Sequence, residues 1–355
     1  MDLVARLGLK HPLFQAPMAG VSTPEMAAAV TNARGLGALG LGAAGVEGAR
    51  QMLQAARALT SGPINANLFC HAPARRDADV EADWLATLAP TFAQMGGQTP
   101  GALHEIYRSF VVDRDMCDML LEEAPGVVSL HFGLPDGQWI KELQAAGNLV
   151  FASATNLEEA QACVAAGVDA IVAQGIEAGG HRGMFDPDAE DNELATLPLV
   201  SLLVASCDVP IIAAGGIMNG QDAARALQSG AQAAQLGTAF LDCTESAADA
   251  GYRAALRDPE QGPPVLTRMV SGRPARCLRN KFVTLGQSLH ARVPDYPVAY
   301  DAGKALNALA KAQGEVGFGA HWAGSGVART PKGDAAQILL KIAQDLLQTQ
   351  SGGAP

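Results

Sequence analysis

Pro210-Ile211-Ile212-Ala213-Ala214-Gly215-Gly216 and Gln232-Ala233-Ala234-Gln235-Leu236-Gly237-Thr238 decide how this chain is read. Each is a short apolar run that ends in glycine and leads into a segment of helical pattern. Such a pair signals two parallel strands, because a parallel connection needs a crossover of about a dozen residues. The same signature recurs upstream at 13–17 (LFQAP), 36–40 (LGALG), 64–68 (INANL), 126–130 (GVVSL), 148–153 (NLVFAS) and 169–173 (DAIVA). The runs are continuously apolar instead of alternating, so both faces of the sheet should be covered. With 210–214 and 232–235 there are eight, the number that closes a (β/α)8 barrel.

Spacing supplies the rest of the architecture. Most gaps hold one helix, but 57 residues separate the third and fourth strands and 120 follow the eighth. The expected fold is therefore α/β, a TIM (β/α)8 barrel with an inserted, mostly helical lid subdomain. The barrel should comprise 1–73, 123–249 and 325–355, and the lid 74–122 and 250–324. Thr23-Pro24-Glu25 reads as a helix start, with an N-cap, a proline at N1 and an acid in the first turn. The nearly all-apolar segment 197–207 should be a buried helix. Ala335, Ile338, Leu339, Ile342 and Leu346 recur at helical spacing, so the tail should return to the barrel.

Composition excludes several classes. The 355 residues (36.5 kDa) are 48% apolar and 17% charged, with mean hydropathy +0.11, as in ordinary globular proteins. A net charge of −11 argues against nucleic acid or an anionic membrane as partner. No run approaches ~18 apolar residues, and MDLVARLGLK lacks a signal-peptide core, so a cytoplasmic location is expected. Six cysteines at least 34 residues apart should be free thiols, and no metal site is expected.

In such a barrel the chemistry lies at the C-terminal strand ends. Gly215-Gly216 and Gly237-Thr238 occupy neighbouring loops where backbone can approach a phosphate closely, although glycines also suit plain tight turns. Gly35, Gly37 and Gly40 match a dinucleotide fingerprint, but they follow a helix and run through the second strand, which is the wrong context. His181, in Glu177-Ala178-Gly179-Gly180-His181-Arg182-Gly183, stands just past the sixth strand as a candidate base. His131 follows the fourth strand and reads equally well as structural or catalytic. His11, His71, His104, His290 and His321 have weaker context and are taken as structural. Asn67 and Gln174 put amides at strand ends, suited to the edge of a planar heterocycle such as a flavin. All four tyrosines (Tyr107, Tyr252, Tyr296, Tyr300) fall in or beside the inserted regions. If Pro297 begins a helix, Tyr300 and Lys304 share one face.

These segments resemble class I nitronate monooxygenases across nearly the whole chain. The resemblance rests on Gln15-Ala16-Pro17-Met18-Ala19-Gly20-Val21-Ser22-Thr23-Pro24, His131-Phe132-Gly133, the EAGGHRG loop, AAGGI at 213–217, QLGTAFL at 235–241, and Tyr296-Pro297-Val298-Ala299-Tyr300 with Lys304. It implies a TIM barrel with a lid around one non-covalent FMN, held by Asn67, Gln174, Gly179, Gly216, Gln235, Leu236, Gly237 and Thr238. Pro17, Met18 and Ala19 would pack against the flavin ring. The resemblance further implies His181 as base, with His131, Tyr107, Tyr252, Tyr296, Tyr300 and Lys304 around the substrate. The implied partners are a small anionic nitronate, propionate 3-nitronate above all, and dioxygen. The implied route passes through an anionic flavosemiquinone to a carbonyl product and nitrite or nitrate, in a monomer or homodimer. Arg34, where the family usually has glycine, and Met218-Asn219, in place of a small residue and aspartate, depart from the pattern. The competing readings are an FMN-dependent NAD(P)H:quinone or enoyl-acyl-carrier-protein reductase, a flavin-free phosphate-binding lyase or isomerase, and a non-catalytic metabolite-binding barrel.

Overall fold

Apolar strands without alternation must be covered on both faces, and the chain does this by closing them into a ring. The computed structural model describes residues 2–258, 260, 262–289 and 292–352. Its strands are β1 (Leu13–Gln15), β2 (Gly37–Gly40), β3 (Ile64–Phe69), β4 (Gly126–His131), β5 (Leu149–Ala154), β6 (Ala170–Gln174), β7 (Gly180–His181), β8 (Ile211–Ala214), β9 (Ala233–Leu236), β10 (Val265–Thr267) and β11 (Ala275–Cys277). Strands β1 to β6, β8 and β9 are parallel neighbours in chain order, and β9 pairs back onto β1. The β1–β2 seam closes through a bridge between Phe14 and Leu36, where the Gln15 N–H donates to the Leu36 carbonyl at 2.8 Å. All eight expected strands are present, with ends shifted by no more than two residues.

The barrel interior is filled from below. Phe14 and Phe151 stack with centroids 6.4 Å apart, beside Val127, Val172 and Ile212. Leu3 on the short helix Leu3–Arg6, with Leu7 and Leu9, joins the same cluster and closes the N-terminal end. Only the C-terminal end is left for a ligand. Outside, the Thr23 hydroxyl caps helix Pro24–Asn32 by accepting the Met26 N–H at 3.0 Å. The C-terminal helix Ala335–Gly352 lies against that helix and Gly220–Gln228, burying the residues its spacing singled out.

Glycine is needed along β2 for close approach. A Cβ on Gly37 would lie 1.9 Å from the Ala27 carbonyl oxygen, and one on Gly40 would lie 2.5 Å from the Ala19 nitrogen. These glycines let a helix and a loop pack onto the strand, which accounts for the fingerprint-like spacing without a dinucleotide.

Two expectations need correction. Helix Thr196–Ser206 buries only one face, and Leu202 and Val204 are 38% and 40% exposed, because an outer-ring helix meets the barrel on one side. Helix Arg114–Glu123, expected in the lid, places Met116, Cys117, Met119 and Leu120 in the barrel's own core, and Tyr252 and Leu256 of helix Ala250–Arg257 join them. The remaining inserted helices, Ala78–Gln94, Lys281–Ser288 and Val298–Ala312, have a separate core around Trp84, Phe92, Phe282 and Leu306. The inserted region is mostly helical, as expected, and its short strands β10 and β11 add a small antiparallel sheet with β7.

Arg34 adopts φ 69°, the left-handed region where glycine is favoured, and its guanidinium donates to the Gly8 carbonyl at 2.9 Å. Two substitutions should move stability in opposite directions. Gly37→Ala should cost about 3 kcal/mol or more by driving backbone against backbone. Gly48→Ala, within helix Val46–Leu59 and meeting only the Ala44 Cβ at 3.8 Å, should stabilise by about 0.5–1 kcal/mol. Urea denaturation of both variants checks this.

Candidate active site

A cavity of about 620 Å³ opens at the C-terminal strand ends, under the inserted segments. Loop 16–24 forms one wall. The Gln15 amide donates to the Ala16 carbonyl (2.7 Å) and to the Ser22 hydroxyl (2.8 Å), which in turn accepts the Met18 N–H at 3.0 Å. Pro17, Met18 and Ala19 are thereby held against the cavity, and Gly40 leaves room for them to cross β2.

Opposite lies a corner built from backbone. Gly215 and Gly216 at the end of β8 have φ 130° and 67°. The Gly324 N–H donates to the Thr238 hydroxyl (2.9 Å), and the Ser325 N–H to the Glu177 carbonyl (2.9 Å). A Cβ on Gly179 would sit 2.5 Å from the Gly324 nitrogen, and one on Gly216 would sit 3.0 Å from the Glu177 Cβ. Backbone ribbons 177–179, 215–216, 237–238 and 323–325 thus meet closely, with only the Glu177 stem and the Thr196, Thr238 and Ser325 hydroxyls packed among them. No aspartate or glutamate lines the cavity among the described residues. The Glu177 carboxylate is turned away onto Thr196, accepting its hydroxyl at 2.8 Å, and a glycine-rich cradle so arranged suits a phosphate. Gln235, Gly237 and Thr238 border it, but Leu236 does not. Strand alternation turns Leu236 outward into the helix-packed core, and only its carbonyl takes part, accepting the Ala16 N–H at 2.8 Å. Asn219 caps helix Gly220–Gln228 by accepting the Asp222 N–H at 2.8 Å, so asparagine does an aspartate's capping work here.

The two amides are largely committed. Gln174 donates to the His181 carbonyl (3.0 Å) and accepts the Gly183 N–H (2.7 Å), while Asn67 Nδ2 donates to the Ser129 hydroxyl (2.9 Å). Arg182, 1% exposed, holds this arrangement through a two-point pair with Asp191 (2.6 and 2.9 Å) and a bond to the Gln174 carbonyl (3.1 Å).

The third wall is aromatic. His181 lies on β7, opposite Ala275 of β11, instead of in a free glycine loop. Tyr296, Trp322 and Tyr300 surround its ring at 5.2, 5.0 and 6.3 Å. Its Nε2 lies 2.8 Å from the Ser271 hydroxyl. His131 Nδ1 lies 2.9 Å from the Ser153 hydroxyl. The Lys304 ammonium donates to the Tyr107 hydroxyl at 2.8 Å and stands 4.9 Å over that ring and 5.8 Å over Tyr300. The Tyr252 hydroxyl is already bonded to the Trp322 carbonyl, while its ring stacks on His321.

Burial sets the protonation of this wall. It pushes His131 and His71 down to about 4 and His181 well below its ordinary value, with nearby cations adding to the effect. Burial also raises the Tyr296 and Tyr300 phenols. At neutral pH the site therefore presents uncharged imidazoles and protonated phenols. The strand-end filter reached neither Ser271, Arg273 nor Trp322, because they lie in the inserted segments. His71, read as structural, is buried with its ring 5.0 Å from Tyr296. His290 lies outside the described residues.

A barrel whose one open end combines a glycine-rich backbone cradle with a lidded pocket of neutral histidines is an enzyme of the TIM-barrel class. The nitronate monooxygenase family model matches residues 2–345, and the chain belongs to that family of oxidoreductases. It is 54% identical to a nitronate monooxygenase of Paraburkholderia phytofirmans, over 98% of this chain and 95% of that one. Identity to the nitronate monooxygenase of Pseudomonas aeruginosa is 47%, over 96% and 97%. A solved nitroalkane oxidase from Streptomyces ansochromogenes superposes with a TM-score of 0.91 at 35% identity, covering 100% of both chains. No helix among the described residues is long and apolar enough to cross a membrane.

The buried histidines also predict how stability responds to pH. Their folded values lie below the unfolded 6.5, so the unfolded chain binds more protons as pH falls. Stability should drop between pH 6.5 and about 4, by roughly 3 kcal/mol for each of His71, His131 and His321 once pH is below about 4. Melting temperatures measured from pH 7.5 to 4.5 should fall steadily, and His321→Gln should flatten the slope.

Proposed function

We propose that the chain oxidises alkyl nitronates with dioxygen on a non-covalent FMN, and that propionate 3-nitronate is its substrate. Lys304 carries this reading. It is the lone lysine or arginine lining the cavity among the described residues, it meets no carboxylate there, and Tyr107 orients its ammonium. A cation so placed in a chain of charge −11 favours a small anion that the rest of the protein repels.

FMN fits the residues present. Its phosphate would be held by the cradle at Gly179, Gly216, Gly237 and Thr238, and its ring by Pro17–Ala19 with Asn67, Gln174 and Gln235. When bound, FMN supplies an acceptor for electrons from the electron-rich nitronate. Lys304 and the hydroxyls of Tyr107 and Tyr300 bind the carboxylate tail of propionate 3-nitronate, while Tyr296, His131 and Trp322 enclose its reacting end and exclude water. Tyr252 contributes its ring, since its hydroxyl is engaged. A nitronate arrives without its α-proton and needs no base. A neutral nitroalkane does, and unprotonated His181 takes that proton.

Lys304→Met should raise KM about tenfold or more for propionate 3-nitronate and much less for ethyl nitronate. Equal effects on both would overturn the tail assignment. His181→Asn should lower nitroalkane turnover by about a hundredfold and spare nitronate oxidation. The reading as a whole is tested by anaerobic titration of the purified protein with propionate 3-nitronate, followed by visible absorbance. Spectral change on nitronate, with oxygen uptake on admitting air, supports it. A flavin that ignores nitronate and bleaches with NADH supports a reductase instead, and failure to take up FMN removes the cofactor assignment.

A further inference from the structure

Two guanidiniums lie buried beside this site, and they differ in one respect. Arg182 is matched by Asp191, with a closest approach of 2.6 Å. Arg273, 2% exposed, forms no ion pair among the described residues. Its Nη2 donates to the Met184 carbonyl, its Nε has no hydrogen-bond partner, and its Cζ stands 4.1 Å over the ring of Phe132. The nearby Glu159 carboxylate is spent on Thr155 and on the Phe185 N–H. A buried cation left without a carboxylate is costly, so its retention asks for a role.

The turn that carries Arg273 is stitched to the site on both sides. The Ser271 hydroxyl lies 2.8 Å from His181 Nε2, and the Pro274 carbonyl accepts the Arg182 N–H at 2.8 Å. Gly272, at φ 89°, packs where a Cβ would lie 2.9 Å from the Tyr296 nitrogen. Phe132 touches three residues that line the cavity: His131 (4.4 Å), His181 (5.6 Å) and Tyr296 (5.5 Å).

We propose that Arg273 is a positioning residue, a second fixed cation that acts from behind Phe132 to favour an anionic occupant of the cavity. Lys304 meets the substrate directly, whereas Arg273 works through space from a layer that substrate does not reach. The inference rests on the nitronate reading for its substrate. Its field has a second consequence that does not depend on any substrate. The groups facing His181 are His131, His71, Tyr296, Tyr300 and Arg273; Arg182 also opposes charging of His131 but is matched by Asp191, so Arg273 is the permanent cation there without a carboxylate among the described residues. It lowers the proton affinity of all three histidines.

Charge and shape are separated by Arg273→Gln, which keeps an N–H donor for the Met184 carbonyl, and Arg273→Lys, which keeps the charge. Imidazole titrations of the purified holoprotein, followed by 15N NMR from pH 8 to 4, should show the three histidines moving up by about one unit in R273Q. In R273K they should remain near the wild-type values. KM for propionate 3-nitronate should rise about tenfold in R273Q, with a smaller rise for singly charged ethyl nitronate, and change little in R273K. Unchanged titrations in R273Q, or equal effects of both variants, would overturn the inference. If R273Q does not fold, Arg273→Met takes its place against R273K: histidines that titrate higher in R273M than in R273K support the inference, and equal titrations in the two overturn it. Shifted titrations in a protein that ignores nitronates would leave Arg273's role standing and remove the substrate reading alone.

Discussion

The upper half of the molecule depends on one short pairing, that of Gly180 and His181 with Arg276 and Ala275. Those two residues leave the barrel after β6 and are captured by the inserted sheet. The capture places an imidazole where barrel and lid meet. It also brings the 271–274 turn against His181 and Tyr296, and leaves the Gln174 amide bonded to the His181 carbonyl. A longer strand would run past the cavity, and an unpaired loop would leave the ring free to turn.

Around that pairing the site is arranged as an electrostatic contrast. The protein as a whole is acidic, yet among the described residues the cavity is lined without a carboxylate and is bordered by one ammonium, backbone amides and neutral imidazoles. Burial, helped by nearby cations, keeps the imidazoles uncharged, so the positive charge not matched by a carboxylate lies in two places among the described residues, Lys304 at the wall and Arg273 behind it. That division suits a ligand whose negative charge is split between a reacting group and a tail. It also allows a base that is unprotonated at neutral pH, at the cost of basicity.

Much of the fold was legible because parallel barrel strands are covered on both faces and announce themselves as short apolar runs. All eight strands, the Thr23 cap and the returning tail helix could be read that way. Helix Thr196–Ser206 misled, because composition does not say which face of an apolar helix meets the barrel. The division of 74–122 misled for a similar reason: Met116, Cys117 and Leu120 are apolar in either core, and only packing assigns them to one.

The candidate site divides along the same line. Residues at strand ends, such as Asn67, Gln174, His131 and Gly215–Gly216, could be placed from the sequence by itself, since barrel topology fixes where strand ends go. Leu236 was the exception within that set, because a one-residue alternation decides which way its side chain faces. Ser271, Arg273 and Trp322 belong to segments with no such rule. Their approach to His181 follows from contacts between parts of the chain 90 or more residues apart, and from glycines that let backbones touch. Sequence determined the barrel, the glycine-rich corner at strands β8 and β9 and the residue types available for chemistry. Tertiary structure decided which histidines are uncharged and which cations lack a partner, because burial and the distance between charges belong to the folded arrangement and to no local stretch of it.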